Sequence, residues 1–307
     1  MDIVILLVGF SIGLVLLVKG ADEMVSSAVQ IALKFKLPSS IIGATFIGFG
    51  TSAPELFAST GAALKGDLDL GIGNIVGSNI ANSLLVVAVL YLALPKDFSQ
   101  KIKLNQISPV WMAILTTVFV STYVLTNEFP FLLGAVLLIL VIYVTYKMIS
   151  AESVDEEELL GEEKNYIWLR GGLSLLATLY GSQLVVDNAV AIAELFGVSS
   201  LIIGSTIIAI GTSLPEVAGT ISAAKMRKPD IVFGNIFGSN LFNIGLVGAT
   251  AIMISPGEIS SVIDYQLFIM YFVSFIVIFL SRNLIKRNTL LGYLFIVAYI
   301  LFLVSLF

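Results

Sequence analysis

The 307-residue sequence contains no cysteine and no histidine. The lack of cysteine excludes disulfides, thiolate metal sites and cysteine nucleophiles. The lack of histidine removes the usual zinc ligand and the side chain that most often titrates near neutral pH. Charge is scarce as well, since only 12% of the residues are Asp, Glu, Lys or Arg. Enzymes that depend on a thiol or an imidazole are therefore excluded, and no nucleophile–base pair takes their place.

Apolar residues make up most of the chain. They account for 58% of it, and the mean hydropathy is +1.02, which is typical of a helical protein that crosses a bilayer many times. We therefore predict an all-α polytopic membrane protein with ten transmembrane helices. The predicted spans are 2–34, 38–64, 70–94, 106–126, 129–149, 167–196, 199–225, 230–254, 263–281 and 289–307.

The basic residues predict how the chain is oriented. With ten spans, alternate loops share one side of the membrane, and 14 of the 16 Lys and Arg residues fall on one side. Lys65 is alone on the other side, and Lys19 lies within a span. Because cytoplasmic loops are enriched in Lys and Arg, we expect both termini to lie outside the cell membrane.

A single long polar connection, residues 150–166, joins the two halves, 1–149 and 167–307. It carries seven of the 21 acidic residues. They are Glu152, Asp155, Glu156, Glu157, Glu158, Glu162 and Glu163. A calcium-sensing loop is one interpretation, but the spacing does not match an EF-hand and the central glycine is absent. We interpret the segment as a solvated cytoplasmic linker.

The two halves repeat each other at a constant offset of 161 residues. Residues 43–60 and 204–221 share eight identities in 18 positions, and residues 73–82 and 234–243 share seven in ten. Each half has five predicted spans, so the second half enters the membrane from the opposite face. Inverted repeats with paired, proline-interrupted spans are typical of secondary transporters, whose site lies at the midplane between the repeats.

Two carboxylates are the strongest site candidates. Glu55 follows Pro54 and Glu216 follows Pro215, each inside a long apolar run. An acid at that depth is costly and marks a functional site by default. Each proline also frees the carbonyl four residues earlier, which adds an oxygen suited to a hard cation. The alternative is pairing with a buried base, but Lys19 could not neutralise both acids.

Hydroxyl and amide side chains surround these carboxylates in sequence. The hydroxyl candidates before the acids are Thr51, Ser52, Thr212 and Ser213. The candidates in the third and eighth spans are Asn82, Asn243, Ser78 and Ser239. The alternatives are hydrogen bonds within one helix for the hydroxyls and between helices for the amides.

For some other polar or small residues of the spans the sequence predicts a structural role, and for the rest it predicts no role. The GxxxG pairs, Gly73/Gly77 and Gly234/Gly238, predict close helix packing. The cluster of Lys19, Asp22 and Glu23 in the first span predicts a local ion pair or a cavity lining. The sequence assigns no role to Asn79, Asn240 or Asp187.

The duplicated motifs resemble those of the calcium/cation antiporter superfamily, and most of all the prokaryotic sodium/calcium exchangers. Those proteins carry G-T-S-x-P-E and G-N-x-x-G-S-N in two alpha-repeats, as this chain does over essentially its whole length. The resemblance implies a membrane antiporter, not an enzyme, that needs no cofactor or nucleic acid and is compatible with a monomer. Ca²⁺ and Na⁺ would exchange by alternating access, with the first and sixth helices sliding over a fixed core.

The resemblance also implies a set of cation ligands. It assigns Ca²⁺ to Glu55 and Glu216 with oxygens of Thr51 and Thr212. It assigns flanking Na⁺ sites to Ser52, Ser78, Ser213 and Ser239 with the main-chain oxygens of Gly48 and Ala209, and Asn82 and Asn243 complete the centre.

One position departs from the family pattern. Relatives often have Asp where this chain has Asn243, so the site here has two carboxylates instead of three. A proton- or potassium-linked cation antiporter therefore remains an alternative, as does a cation channel from a different functional class.

Overall fold

The computed structural model describes residues 3–101, 106–150, 166–197, 209–282 and 284–306. The described part is almost entirely helical. The helices are α1 Ile3–Phe35, α2 Ser39–Thr51, α3 Ala53–Leu64, α4 Leu68–Ala93, α5 Ile107–Thr126, α6 Phe131–Ile149, α7 Ile167–Leu195, α8 Ala209–Gly211, α9 Leu214–Lys225, α10 Pro229–Ile254, α11 Asp264–Ser281 and α12 Thr289–Val304. The beginning of the predicted seventh span and nearly all of the acidic linker lie outside the described residues.

The helices are long and apolar enough for a polytopic membrane protein. Within the described ranges, seven helices meet the length and hydropathy needed to cross a bilayer. An eighth span results if α2 and α3, which meet at an angle of 44°, are counted together. Helix α12 is apolar but shorter, at 16 residues. Large apolar side chains remain exposed along the outer helices, as expected for surfaces that face lipid.

Two short antiparallel strand pairs lie between helices, and the sequence analysis did not predict them. Strand β1, Ser99–Lys101, pairs with β4, Leu284–Lys286. Strand β2, Glu128–Phe129, pairs with β3, Gly257–Glu258. These segments follow helix ends, where backbone groups have lost their helical partners, so pairing between connections satisfies them.

The backbone repeats at the same offset as the sequence. Helix α3 begins at residue 53 and α9 at residue 214, and they end at 64 and 225; both differences are 161. Helices α4 and α10 run over 68–93 and 229–254, again with a difference of 161 at each end. Each of the latter contains a π-helical segment, which begins at Asn82 in α4 and at Asn243 in α10. The duplication therefore extends to local distortions of the helices.

Helices α4 and α10 form the centre of the structure. About 78% and 83% of their spanning windows are buried, against 22% for α1 and for α7. The second GxxxG pair explains part of this burial. A Cβ at Gly234 would meet the Ser40 carbonyl, and one at Gly238 would meet the backbone of Ala44. The predicted close packing is thus confirmed there, between α10 and α2.

The first GxxxG pair has a different surrounding. No atom of the described residues lies within 4 Å of a Cβ built on Gly73 or Gly77. The residues of the second half that are equivalent to Ser40 and Ala44 stand at positions 201 and 205, outside the described ranges. The packing prediction for this pair therefore stays a prediction.

Helices α1 and α7 form a long antiparallel pair at the edge of the core. Gly13 lies against the backbone of Gly181, while Gly20 lies further along α1 against Thr178. Because glycine has no side chain, the two backbones approach closely over several turns. The 33 and 29 residues of these helices make them the longest in the described chain.

An ion pair joins these two helices. Glu23 of α1 contacts Arg170 of α7 at 2.7 Å, and both side chains are about one-third exposed. The ion pair predicted for the first span therefore uses a partner on another helix, Arg170 of α7. Lys19 is exposed and lies outside this bridge.

The tight contact at Gly238 generates a test of the packing. We expect Gly238→Ala to lower the free energy of unfolding by about 1–3 kcal/mol, because the added methyl group forces α10 away from α2. Gly172→Ala on α7 is the matched control, since no described atom lies within 4 Å of its Cβ position. Thermal unfolding in detergent measures the difference, and equal midpoints for the two variants would contradict the packing described here.

Candidate cation site

The two proline motifs interrupt their helices and place a carboxylate at the start of the next one. Helix α2 ends at Thr51 and α3 begins at Ala53. Glu55 lies in the first turn of α3, and Glu216 occupies the same position in α9. Unpaired N–H groups at a helix N-terminus favour negative charge, so each break helps to stabilise the acid that follows it.

The two carboxylates come from opposite halves and lie near each other inside the protein. Glu55 is 4% exposed and Glu216 is 3% exposed. They are close enough for electrostatic repulsion between them. The Oε2 atom of each is buried without a hydrogen-bond partner among the described residues. Salt bridges of the described chain lie elsewhere, so the alternative of an acid neutralised by a base finds no support.

Hydroxyl groups connect the two halves around these acids. Thr51 lies near the Glu216 carboxylate, and Ser78 lies near the Glu55 carboxylate. The hydroxyls of Thr51 and Ser239 are 3.4 Å apart, and Ser239 donates to the Gly48 carbonyl at 3.3 Å. The structure thus brings together six of the predicted ligands from α2, α3, α4, α9 and α10. Thr51 also donates to its own helix, as the alternative interpretation expected.

The equivalent threonines differ in their surroundings. Thr51 is completely buried, whereas Thr212 is exposed beside a cavity of about 390 Å³. Helix α7 forms one wall of that cavity, with Asp187 among its lining residues. Ser182 of α7 donates to the Gly211 carbonyl at 3.1 Å. This carbonyl is the one that Pro215 frees, so here it binds a neighbouring helix.

The remaining predicted serine and main-chain ligands have simpler surroundings. Ser52 and Ser213 are buried, at 3% and 4% exposure, and the Ser52 hydroxyl has no hydrogen-bond partner among the described residues. Ala209 is the first residue of the short helix α8.

The four asparagines of α4 and α10 form two hydrogen bonds related by the repeat. Asn82 donates to the Asn240 side-chain oxygen at 3.1 Å, and Asn243 donates to the Asn79 side-chain oxygen at 3.0 Å. Asn243 is the repeat equivalent of Asn82, and Asn79 is the repeat equivalent of Asn240. The second bond is therefore the first bond transferred to the opposite half. The sequence analysis left Asn79 and Asn240 without a role, and their duplication was the only signal available.

The unpartnered atoms define the chemistry of the site. Four of them belong to predicted ligands and are oxygens, namely Glu55 Oε2, Glu216 Oε2, Ser52 Oγ and Asn243 Oδ1. Carboxylate, amide and hydroxyl oxygens are the ligands that hard cations prefer. Buried anions without partners are costly, so a bound cation would stabilise this arrangement. The described residues contain no cluster of three or more acidic side chains, so neutral oxygens must complete any such site.

Comparison with known proteins assigns the family. The profile described as "Sodium/calcium exchanger protein" matches residues 5–150 and 166–307. The chain belongs to the sodium/calcium exchanger family. The family consists of transporters and not enzymes, and it moves Ca²⁺ and Na⁺ without a cofactor. The chain is accordingly a multi-pass membrane protein that exchanges cations, with Ca²⁺ among them.

Individual relatives match over nearly the whole chain. The sodium/calcium exchanger MaX1 of Methanosarcina acetivorans is 32% identical, with 96% of this chain and 97% of the relative covered. The inner membrane protein YrbG of Escherichia coli is 31% identical, with 89% and 88% covered. A solved structure of the sodium-calcium exchanger NCX_Mj, soaked with Na⁺ and Sr²⁺, has a TM-score of 0.84 at 28% identity, and the match covers both chains completely.

The unpartnered carboxylate oxygens generate a test that needs no transport assay. We expect Ca²⁺ at about 100 times its Kd to stabilise the purified wild type by about 2.7 kcal/mol. This stabilisation raises the unfolding temperature. Glu55→Gln should lose most of this stabilisation because it removes half of the buried negative charge. Glu258→Gln, an exposed carboxylate in β3, is the control and should respond as the wild type does. A full Ca²⁺ response in Glu55→Gln would exclude Glu55 as a ligand.

Proposed function

We propose that this protein is a secondary antiporter that exchanges Ca²⁺ for Na⁺ by alternating access. The observation that carries the proposal is the pair of buried carboxylates, Glu55 and Glu216, each with one oxygen that lacks a hydrogen-bond partner among the described residues. Together they supply two negative charges, which match one Ca²⁺. The neutral oxygens around them can replace part of the water shell of either ion.

The proposed ligands form a centre and flanking positions. The centre comprises Glu55, Glu216, Thr51, Thr212, Asn82 and Asn243. The flanking positions comprise Ser52, Ser78, Ser213, Ser239 and the main-chain oxygens of Gly48 and Ala209. Contacts across the repeats, such as Thr51 with Glu216 and with Ser239, support this grouping.

In the proposed architecture, ten transmembrane helices form two inverted five-helix repeats, 1–149 and 167–307, joined by the acidic linker. The constant offset of 161 in helix bounds and the exchanged asparagine bonds support a two-fold relation between the halves. The distribution of basic loops favours an acidic linker in the cytoplasm and both termini outside the cell membrane.

The moving part is the pair α1 and α7. Glycine contacts and the Glu23–Arg170 bridge hold these two helices together, while they lie outside the buried centre of α4 and α10. The cavity beside α7 reaches Thr212 and therefore provides a path toward the proposed centre. Sliding of the pair would close this path and open one on the opposite side.

The first functional test replaces one central carboxylate. We expect Glu216→Gln to abolish uptake of radioactive Ca²⁺ into proteoliposomes driven by a Na⁺ gradient, because the site would keep a single negative charge. Glu258→Gln should transport as the wild type does. The same vesicles with K⁺ or H⁺ gradients distinguish other counter-ions, and Ca²⁺ flux without any trans cation would indicate a channel. Normal uptake by folded Glu216→Gln would refute the proposed site.

The second functional test concerns the sliding pair and uses the natural absence of cysteine. Trp168 of α7 lies 5.5 Å from Phe35 of α1 and 6.4 Å from Phe46 of α2, measured between ring centroids. We expect a short bismaleimide to stop exchange when it joins cysteines at 46 and 168, since it ties α7 to the core. The same reagent between 35 and 168 joins two helices that move together and should leave exchange intact. Undiminished exchange in fully cross-linked 46/168 protein would contradict the sliding mechanism.

A further inference from the structure

The side-chain oxygen of Asn243 has no hydrogen-bond partner among the described residues. The contact made by the side-chain nitrogen explains why the oxygen is left available. The Nδ2 atom donates to Asn79 Oδ1 at 3.0 Å, and Asn243 is 1% exposed. The opposite end of the amide, Oδ1, is buried and unpartnered among the described residues. One neighbour thus occupies the donor end of the amide and leaves the acceptor end available.

The direction of this amide decides whether it can bind a cation. An amide has one oxygen that attracts cations and one NH₂ group that repels them. If the Asn243 amide turned over, its oxygen would face the oxygen of Asn79, and two acceptors would meet without a proton between them. A lost hydrogen bond at a buried position is costly, so Asn79 disfavours the reversed orientation.

A carboxylate would not need this direction. Its two oxygens are equivalent, so either orientation presents an anionic oxygen. Asn79 could also adapt to such a neighbour. Its Nδ2 donates to the Asn240 carbonyl at 3.4 Å and to the Met270 sulfur at 3.6 Å, and these contacts keep its oxygen toward an amide at position 243. Beside a carboxylate, turning the Asn79 amide would exchange them for a charge-assisted hydrogen bond, a gain that an amide at position 243 does not offer.

We propose that Asn79 is a positioning residue that holds the Asn243 amide with its oxygen toward the cation, a direction that an aspartate at position 243 would not require. This inference rests on the proposed function, in which Asn243 is a ligand. Asn79 itself contacts no cation in this arrangement. Asn240 has the corresponding relation to Asn82, to which it offers Oδ1 at 3.1 Å.

The repeat supplies a matched control for this proposal. Asn79 and Asn240 are both buried, at 0% and 1% exposure, and both accept from an asparagine of the opposite half. Asn243→Asp changes the partner of Asn79 but leaves the amide of Asn82 unchanged. A substitution at 79 should therefore depend on the residue at 243, and the same substitution at 240 should not.

The experiment measures the Ca²⁺ concentration that gives half of the maximal thermal stabilisation of the purified protein. We expect Asn79→Leu, which has the same branching and number of side-chain heavy atoms, to raise this concentration about tenfold, as the loss of a buried hydrogen bond would predict. In the Asn243→Asp background we expect the same substitution to raise it less than about threefold. Asn240→Leu should raise it by a similar factor in both backgrounds.

Each result has a defined meaning. An equal effect of Asn79→Leu in both backgrounds, or no effect in either, overturns the proposal and leaves Asn79 a packing residue. Loss of Ca²⁺ binding in Asn243→Asp alone also overturns it, because a carboxylate should serve in either orientation. If Asn79→Leu does not fold, Asn79→Ser is measured in the same two backgrounds. Absence of any Ca²⁺ response in the wild type would instead refute the proposed function.

Discussion

Two carboxylates buried near each other are the constraint on which the rest of this structure depends. Glu55 and Glu216 repel each other while almost completely buried, and the described residues provide no base between them. Such a pair persists only if other interactions compensate for it. The helix breaks before the two acids place N-terminal N–H groups beside them, and Thr51 and Ser78 add hydroxyl contacts.

The duplication turns this local problem into a symmetric solution. Each half contributes one acid, one broken helix and one deeply buried helix with a π-helical segment. Because the hydrogen bonds of Asn82 and Asn243 each cross to the opposite half, neither half is complete without the other. The symmetry is not strict, however. Thr51 is enclosed while its equivalent Thr212 faces a cavity, and a transporter that opens to one side at a time requires a difference of this kind.

The division between a rigid centre and a peripheral pair follows from where small residues lie. Gly234 and Gly238 bring α10 against α2 so closely that a single methyl group would not fit. Helices α1 and α7 use glycines against each other instead, and the Glu23–Arg170 bridge joins the same two helices. Packing of this type holds α10 to α2 as one unit and α1 to α7 as another. The boundary between these two units depends on fewer close backbone contacts.

The sequence by itself determined the class of protein, the repeat and the acids, because hydropathy, a constant offset and a buried charge are properties of residue order. Family matches then agreed with the resemblance carried by the two motifs. Only the tertiary structure decided what partners the side chains have. It showed that Arg170 pairs with Glu23, that Thr212 faces a cavity, and that Asn79 receives the Asn243 amide. The two pairs join residues 147 and 164 positions apart, and no local pattern specifies such contacts, because they follow from how whole helices pack.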